Sequence, residues 1–307
     1  MKPKRSELNK LFVVAVMMVL TLMQANAKLN IVTSLPDLKS IAEFVGGDRV
    51  DVFAIATGYQ NPHYVDPKPS YIMKLSKADM FVTVGLDLEA GWVPPLLNSA
   101  RNGNIQKGSP GYVDASVNVP LLQVPSSVNR AEGDIHIYGN PHYWLDPANG
   151  KTIAQNIFDG LVRVDPDNRA YYEGNLKKFD SQLDGKIREW TMKTMPFKGE
   201  KVIAYHNEWP YFEQRFGLQI VDFLEPKPGI PPTPSQLTKV ITEMKRDNIK
   251  VIINSPYFTQ ESAELVARNV DGKVVTLATS VGAEENIKNY FDLFDYNVGK
   301  ITEAFSK

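Results

Sequence analysis

Apolar and polar residues follow two different periods in the first third of the chain. Three short runs rich in β-branched residues predict buried strands: Leu29–Thr33, Val50–Ala56 and Met80–Val84. Three amphipathic stretches between and after them predict helices: Asp37–Val45, Pro69–Ser76 and Glu89–Asn102. Strands that alternate with helices form a parallel sheet with helices on both faces, so this part of the chain predicts an α/β fold.

A long helix is predicted in the middle of the chain. Its apolar residues recur every three or four positions, at Tyr172, Leu176, Phe179, Leu183, Ile187 and Trp190. We expect it to begin at residues 165–167, where Asp165 or Asp167 can cap it and Pro166 fits the first turn, and to end at Pro196. At 1.5 Å per residue it would be about 45 Å long, enough to cross a two-lobed molecule.

A second alternating series follows this helix. Four runs predict strands: Lys201–Tyr205, Leu218–Leu224, Lys250–Asn254 and Lys273–Leu277. Four stretches predict helices: Trp209–Phe216, Pro234–Asp247, Gln260–Val270 and Asn286–Ser306. The sequence therefore predicts two α/β lobes, each with a mainly parallel sheet flanked by helices, joined by one long spine helix. We place the lobes at residues 28–164 and 197–307 and the linking helix at 165–196.

Two segments show neither period. Gly108–Gly139 is rich in Pro, Ser, Asn and Gly, which predicts an ordered loop. Leu224–Pro232, with Pro234 just beyond it, carries five prolines and predicts a stiff connector before the next helix. We favour a structural role for this connector over a ligand-binding one.

The amino terminus has the pattern of a secretory signal peptide. Lys2, Lys4 and Arg5 precede the apolar run Leu11–Met23, and small residues at 25–27 supply a cleavage site. The apolar run is shorter than the roughly 20 residues of a membrane span, although an uncleaved anchor is the alternative. We expect residues 1–27 to be removed and the mature protein to begin at Lys28.

Composition narrows the class of protein further. The chain is 43% hydrophobic and 22% charged, which is typical of a globular protein, and its net charge of -1 argues against nucleic acid as the partner. It has no cysteine, hence neither disulfides nor a lipid attachment site. We expect a free periplasmic protein of a double-membraned bacterium, and a monomer.

Histidine is scarce and unevenly placed among the 307 residues. Of the four histidines, His63 and His142 share one local pattern, Asn-Pro-His-Tyr followed by Asp-Pro. Proline restricts its own φ and the residue before it, so each imidazole would lie in a rigid loop, as a pre-formed metal ligand requires. A single histidine is more often an ordinary surface or core residue, but three in similar strand-to-helix settings favour a site.

These histidines are predicted to meet in the cleft between the lobes. His206 directly follows a predicted strand, and His63 and His142 lie in loops at strand or helix ends, where ligands bind in open α/β sheets. Three neutral imidazoles with a carboxylate or water form the usual zinc tetrahedron. Asp66 and Asp146 could accept hydrogen bonds from the second ring nitrogens, or could equally cap helices.

Four motifs of the mature chain carry a family resemblance. They are Gly-Asn-Pro-His-Tyr-Trp-Leu-Asp-Pro, Ala-Tyr-His-Asn-Glu-Trp-Pro-Tyr-Phe, Glu-Pro-Lys-Pro-Gly-Ile-Pro-Pro and Tyr-Phe-Asp-Leu-Phe-Asp-Tyr-Asn-Val. In combination they resemble the solute-binding proteins of zinc and manganese ABC transporters, from Lys28 to the end of the chain. The resemblance implies two α/β lobes joined by a long helix, one transition-metal ion between them, and an ABC permease in the inner membrane as partner.

Carried over by motif, the family's nitrogen ligands fall on His63, His142 and His206. The family usually adds a carboxylate after the last strand, but Leu277–Gly282 contains none here. Water, Glu208, Glu284 and Glu285 are therefore the candidates for the fourth ligand. An all-nitrogen set favours zinc over manganese. His136 lies where some relatives carry a histidine-rich loop, and we expect it to be an auxiliary group at the cleft mouth.

Two functions other than metal transport could also use a site of three histidines. A zinc hydrolase could use Glu208 beside His206 as a general base, but the chain has no HExxH helix and no second carboxylate cluster. A surface adhesin of the same fold would keep the metal site, and release of the metal to a permease would distinguish the two. We expect a binding protein and not an enzyme.

Overall fold

The structure, a computed structural model, describes residues 28–126 and 136–306. The predicted signal peptide, residues 1–27, lies outside the described residues. In the described part of the chain, no helix is long and apolar enough to cross a membrane.

Four parallel strands form the first sheet, in the order β2-β1-β3-β4. They are β1 (Leu29–Thr33), β2 (Val50–Ala54), β3 (Met80–Thr83) and β4 (Tyr112–Asp114). The first three confirm the predicted strands to within two residues. The fourth lies in the segment predicted to be a loop, so that prediction is wrong there. Three residues are too few to show a strand period, which is why the pattern missed it.

Four helices accompany this sheet. They are α1 (Pro36–Gly46), α2 (Pro69–Leu75), α3 (Val93–Ala100) and α4 (Asn149–Val164). Helix α3 begins four residues later than predicted. The carboxylate of Glu89 accepts hydrogen bonds from the backbone N–H groups of Val84 (2.6 Å) and Gly85 (3.0 Å), so Glu89 belongs to the turn that follows β3.

The predicted long helix is confirmed as α5 (Arg169–Thr194), with short 3₁₀ turns at Pro166–Asn168 and Met195–Phe197. Its predicted caps, Asp165 or Asp167, are wrong, because the helix starts after Asn168 and no side chain caps it. The Asp165 carboxylate accepts hydrogen bonds from the Tyr172 hydroxyl (2.5 Å) and from Asn168 Nδ2 (2.8 Å). Asp165 therefore ties the start of the helix to its first turn through side chains.

The second sheet also has four parallel strands, in the order β6-β5-β7-β8. They are β5 (Lys201–Ala204), β6 (Gln219–Phe223), β7 (Val251–Asn254) and β8 (Lys273–Thr276). Its helices are α6 (Pro210–Phe216), α7 (Pro234–Asp247), α8 (Glu261–Val270) and α9 (Tyr290–Ser306). These elements confirm the predicted two-sheet α/β fold.

One hydrophobic core runs through both sheets, because α5 packs against helices from each half. On this helix, the Phe179 ring lies 5.3 Å from Phe44 of α1 and 5.4 Å from Phe291 of α9, centroid to centroid. Strand β5 shows the two faces of its sheet. Val202 points into the shared core, and its neighbour Ile203 points into a second apolar cluster that includes residues of α7 and α8.

Candidate metal centre

His63 lies in the loop after β2, and this loop is fixed at two points. The Asn61 side-chain oxygen accepts a hydrogen bond from the His63 backbone N–H (3.0 Å). The Trp92 indole donates to the Pro62 carbonyl (3.0 Å). An Asn that bonds its own backbone two residues on forms a local turn, so the Asn-Pro-His sequence sets the direction of the imidazole.

The His142 loop repeats the same turn. The Asn140 side-chain oxygen accepts from the His142 backbone N–H (3.0 Å), as Asn61 does for His63. Beyond it, the Tyr143 hydroxyl donates to the Val84 carbonyl (2.7 Å) and the Trp144 indole donates to the Thr279 carbonyl (2.9 Å). The aromatic residues after the histidine thus anchor its loop to both halves of the molecule.

His206 follows β5 and is held by a carboxylate. Its Nδ1 lies 2.6 Å from Glu225 Oε2, and both side chains are buried. Glu225 belongs to the proline-rich turn after β6, where its backbone N–H donates to the Tyr205 carbonyl (3.1 Å). This contact leaves Nε2 of His206 as the nitrogen that can bind a metal.

The structure brings the three histidines together from these separate loops. One ring nitrogen from each of His63, His142 and His206 lies within 4.8 Å of the others. The Nε2 atoms of His63 and His142 are 3.2 Å apart, and the His206 ring centroid is 5.8 Å and 5.9 Å from those two rings. Three imidazoles that converge in this way could hold a metal ion, and zinc is often bound by such a set.

Burial favours the neutral form of His63 and His142, which is the form that binds a cation. It lowers the pKa of His142 well below its usual value, and the neighbouring rings of His63, His206 and His136 lower it further. The pKa of His63 is lowered well below its usual value in the same way, first by burial and then by His136 and His206. Both imidazoles are therefore neutral near pH 7, which is the form that can bind a metal.

The carboxylates considered as a fourth ligand differ in their surroundings. Within the described residues, the group of ligand atoms that lie within 4.8 Å of one another contains no carboxylate. Glu208 is buried, its carboxylate accepts hydrogen bonds from the hydroxyls of Ser255 and Tyr257, and burial raises its pKa to about 7. Glu284 and Glu285 are exposed.

His136 lies beside the cluster. Its half-buried ring stacks on His63 with a centroid separation of 5.0 Å and an interplanar angle of 29°. A stacked ring presents its face, and not a nitrogen, to its neighbour. His136 therefore lies next to the three converging rings and turns the face of its own ring toward His63.

Neither role predicted for Asp66 and Asp146, histidine partner or helix cap, is observed. The Asp146 oxygens accept from Arg215 (2.7 and 2.9 Å) and from the Ala148 backbone N–H (2.9 Å) just before α4, and neither α2 nor α4 has a side-chain cap. Proximity in sequence did not give the direction of these side chains. The carboxylate that does contact a histidine, Glu225, was missed, since only its position in a stiff turn hinted at it.

Comparison with known proteins agrees with the fold. Residues 31–304 match the sequence model of the family described as zinc-uptake complex component A, periplasmic (ZnuA). The manganese ABC transporter substrate-binding lipoprotein scaA of Streptococcus gordonii is 25% identical over 292 residues, which cover 92% of this chain and 91% of that protein.

Solved structures agree as well. A crystal structure of ZnuA is 26% identical, with a TM-score of 0.77 over 90% of this chain and 99% of that one. A ZnuA deletion mutant with zinc bound is also 26% identical, with a TM-score of 0.76 over 90% of this chain and 98% of that one. Because the family model covers nearly the whole chain, the protein belongs to the ZnuA family of solute-binding proteins of metal ABC transporters.

Proposed function

We propose that this protein captures one divalent transition-metal ion, zinc in preference to manganese, on His63, His142 and His206, and delivers it to an ABC permease. The convergence of three imidazoles carries the proposal; His142 and His206 are buried and His63 is half-buried. Imidazole suits zinc, whereas manganese prefers oxygen ligands. The zinc-bound ZnuA relative supports this choice of metal, and the manganese name of the S. gordonii relative makes the choice one to test.

Water is our first candidate for the fourth ligand. A cavity of about 200 Å³ lies beside His63 and His206, and Tyr64, Pro231 and Phe258 are among its other lining residues. A water molecule occupies about 30 Å³ of liquid, so the cavity has room for one on the metal. Glu208 is the second candidate, because its carboxylate would have to give up its hydrogen bonds to Ser255 and Tyr257 before it could bind the metal. His136 would act as an auxiliary group next to the cluster.

We further propose that the protein works as a monomer in the periplasm after residues 1–27 are removed. Its lobes would be residues 28–164 and 197–307, linked by 165–196, and its permease would lie in the inner membrane. The Glu208 oxygens already accept hydrogen bonds from Ser255 and Tyr257, which argues against a hydrolase that would use this carboxylate as a general base. An adhesin of the same fold would bind metal as well, so transfer of the ion to a permease distinguishes that alternative.

Equilibrium titration of the mature protein tests this function. Zinc is added in competition with a chromophoric chelator, and binding is expected to saturate at one ion per chain. Manganese added at equal concentration should fail to displace it. Saturation at two or more tight ions, no binding, or tighter binding of manganese would overturn the proposal.

A further inference from the structure

Glu225 occupies a place that the metal site alone does not require. It belongs to a proline-rich turn and lies 19 positions after His206 in the sequence, yet its carboxylate lies 2.6 Å from the Nδ1 of that ring. The two side chains are only 6% and 10% exposed. A buried carboxylate costs free energy unless it is paired, so this contact is a specific arrangement and not a surface pair.

The backbone explains why the carboxylate arrives at this position. Pairing between β5 and β6 continues past the ends of both strands, because the Leu224 N–H donates to the Ala204 carbonyl (2.9 Å) and the Glu225 N–H donates to the Tyr205 carbonyl (3.1 Å). Glu225 and His206 therefore leave neighbouring strands side by side. The prolines after Glu225 stiffen the turn and keep the carboxylate there.

The contact has two chemical consequences for a bound metal. A carboxylate that accepts from Nδ1–H fixes the tautomer, so that the Nε2 lone pair of His206 faces the other two imidazoles, and it makes that nitrogen more basic. It also supplies a negative charge. Three neutral imidazoles bring none, so an ion of charge 2+ would otherwise be buried without compensation.

We propose that Glu225 is a positioning residue: it orients His206 and balances the charge of the metal from outside the coordination shell. This inference rests on the proposed function and deepens it. Because Glu225 bonds a histidine and not the metal, the ligand set stays nitrogen-rich and therefore selective for zinc over manganese. The proline-rich turn, predicted to be only a connector, becomes part of the site.

The mature full chain with Glu225→Gln tests this role, because the amide keeps the size and one acceptor oxygen but removes the charge. Zinc affinity, measured by chelator competition, should fall about 10- to 100-fold, as is typical for the loss of an outer hydrogen-bond partner of a metal ligand. Glu213→Gln is the matched control. This half-buried glutamate of the same half accepts from the Ile220 backbone N–H (2.9 Å), away from the histidines, and its variant should retain wild-type affinity.

A second readout separates positioning from a loss of folding. Cobalt(II) is loaded in place of zinc, and its visible absorption reports the ligand field. The bands should shift in Glu225→Gln and stay unchanged in Glu213→Gln. Zinc affinity of Glu225→Gln equal to wild type, an unchanged cobalt spectrum, or an equal loss in Glu213→Gln would overturn the inference. Failure of the wild-type chain to bind zinc would instead overturn the proposed function.

Discussion

At the scale of single residues, His136 and His142 differ in how far they are buried, and this difference predicts different effects of substitution. His142 is almost fully buried, whereas His136 is half-buried and stacks on His63. His142→Ala should lower zinc affinity by more than about 100-fold, beyond the 10- to 100-fold range of outer partners, and His136→Ala by about tenfold or less. Chelator competition on both variants checks this. Equal and large losses would place His136 among the ligands.

The lowered pKa values of His63 and His142 also predict how stability depends on pH. The unfolded chain takes up protons on these rings near pH 6.5, whereas the folded chain, with both pKa values below this, does not. The unfolded state therefore binds more protons, and the metal-free protein loses stability as pH falls below about 6.5.

Denaturant unfolding of the metal-free protein at pH 7.5 and pH 5.5 measures this effect. Other buried groups also titrate, for example Glu208, so the informative quantity is the difference between wild type and His142→Gln. The variant should lose less stability between the two pH values than the wild type does. An identical loss in both proteins would show that His142 is not held neutral.

The sequence could predict only those parts of the site that a local sequence pattern encodes. The repeated Asn-Pro-His pattern identified His63 and His142, because Asn and Pro set the local turn. The partner of His206 could not be found in this way. Glu225 reaches His206, 19 positions earlier in the sequence, only because two strands pair, and no local pattern records that pairing.

At the scale of secondary structure, predictions were accurate where apolar runs were long and failed at element ends. Helix α9 was predicted from Asn286 but begins at Tyr290. The Asn289 side-chain oxygen accepts from the N–H groups of Phe291 (2.9 Å) and Asp292 (3.1 Å), and Asp292 accepts in return from the Lys288 N–H (3.0 Å). This reciprocal capping fixes the first turn, and hydrophobic period alone cannot show it.

Helix α5 should be the element on which both halves depend for stability. Phe179→Ala removes a ring that packs on Phe44 and on Phe291, and it should destabilise the protein by about 3–5 kcal/mol. Met192→Ala, at an exposed position of the same helix, is the control and should have little effect. Denaturant unfolding measures both variants. A loss confined to one of two separate transitions would contradict a core shared by both halves.

At the scale of the whole molecule, several hydrogen bonds join the two halves around the site. Asn140 Nδ2 donates to the Asn207 carbonyl (2.8 Å), and the Tyr211 hydroxyl donates to the Asn140 carbonyl (2.8 Å). The Asp37 carboxylate at the start of α1 accepts from the Val281 N–H (3.1 Å). Together with α5, these contacts oppose a wide opening of the cleft.

Metal binding should therefore change the overall shape only slightly. A globular chain of about 280 residues has a radius of gyration of about 19 Å, and we expect zinc to change it by less than about 1 Å. Small-angle scattering of metal-free and zinc-loaded protein tests this directly. A larger decrease on loading would mean that the halves close as rigid bodies about a hinge, and that the helix between them does not restrain them.

The position of the metal itself tests the central claim most directly. Crystals of zinc-loaded protein should give one anomalous-scattering peak at the zinc absorption edge, about 2.0–2.1 Å from a ring nitrogen of each of His63, His142 and His206. For His206 that nitrogen should be Nε2, with Nδ1 still bonded to Glu225. No peak at these three rings, or a stronger peak elsewhere on the protein, would contradict the account.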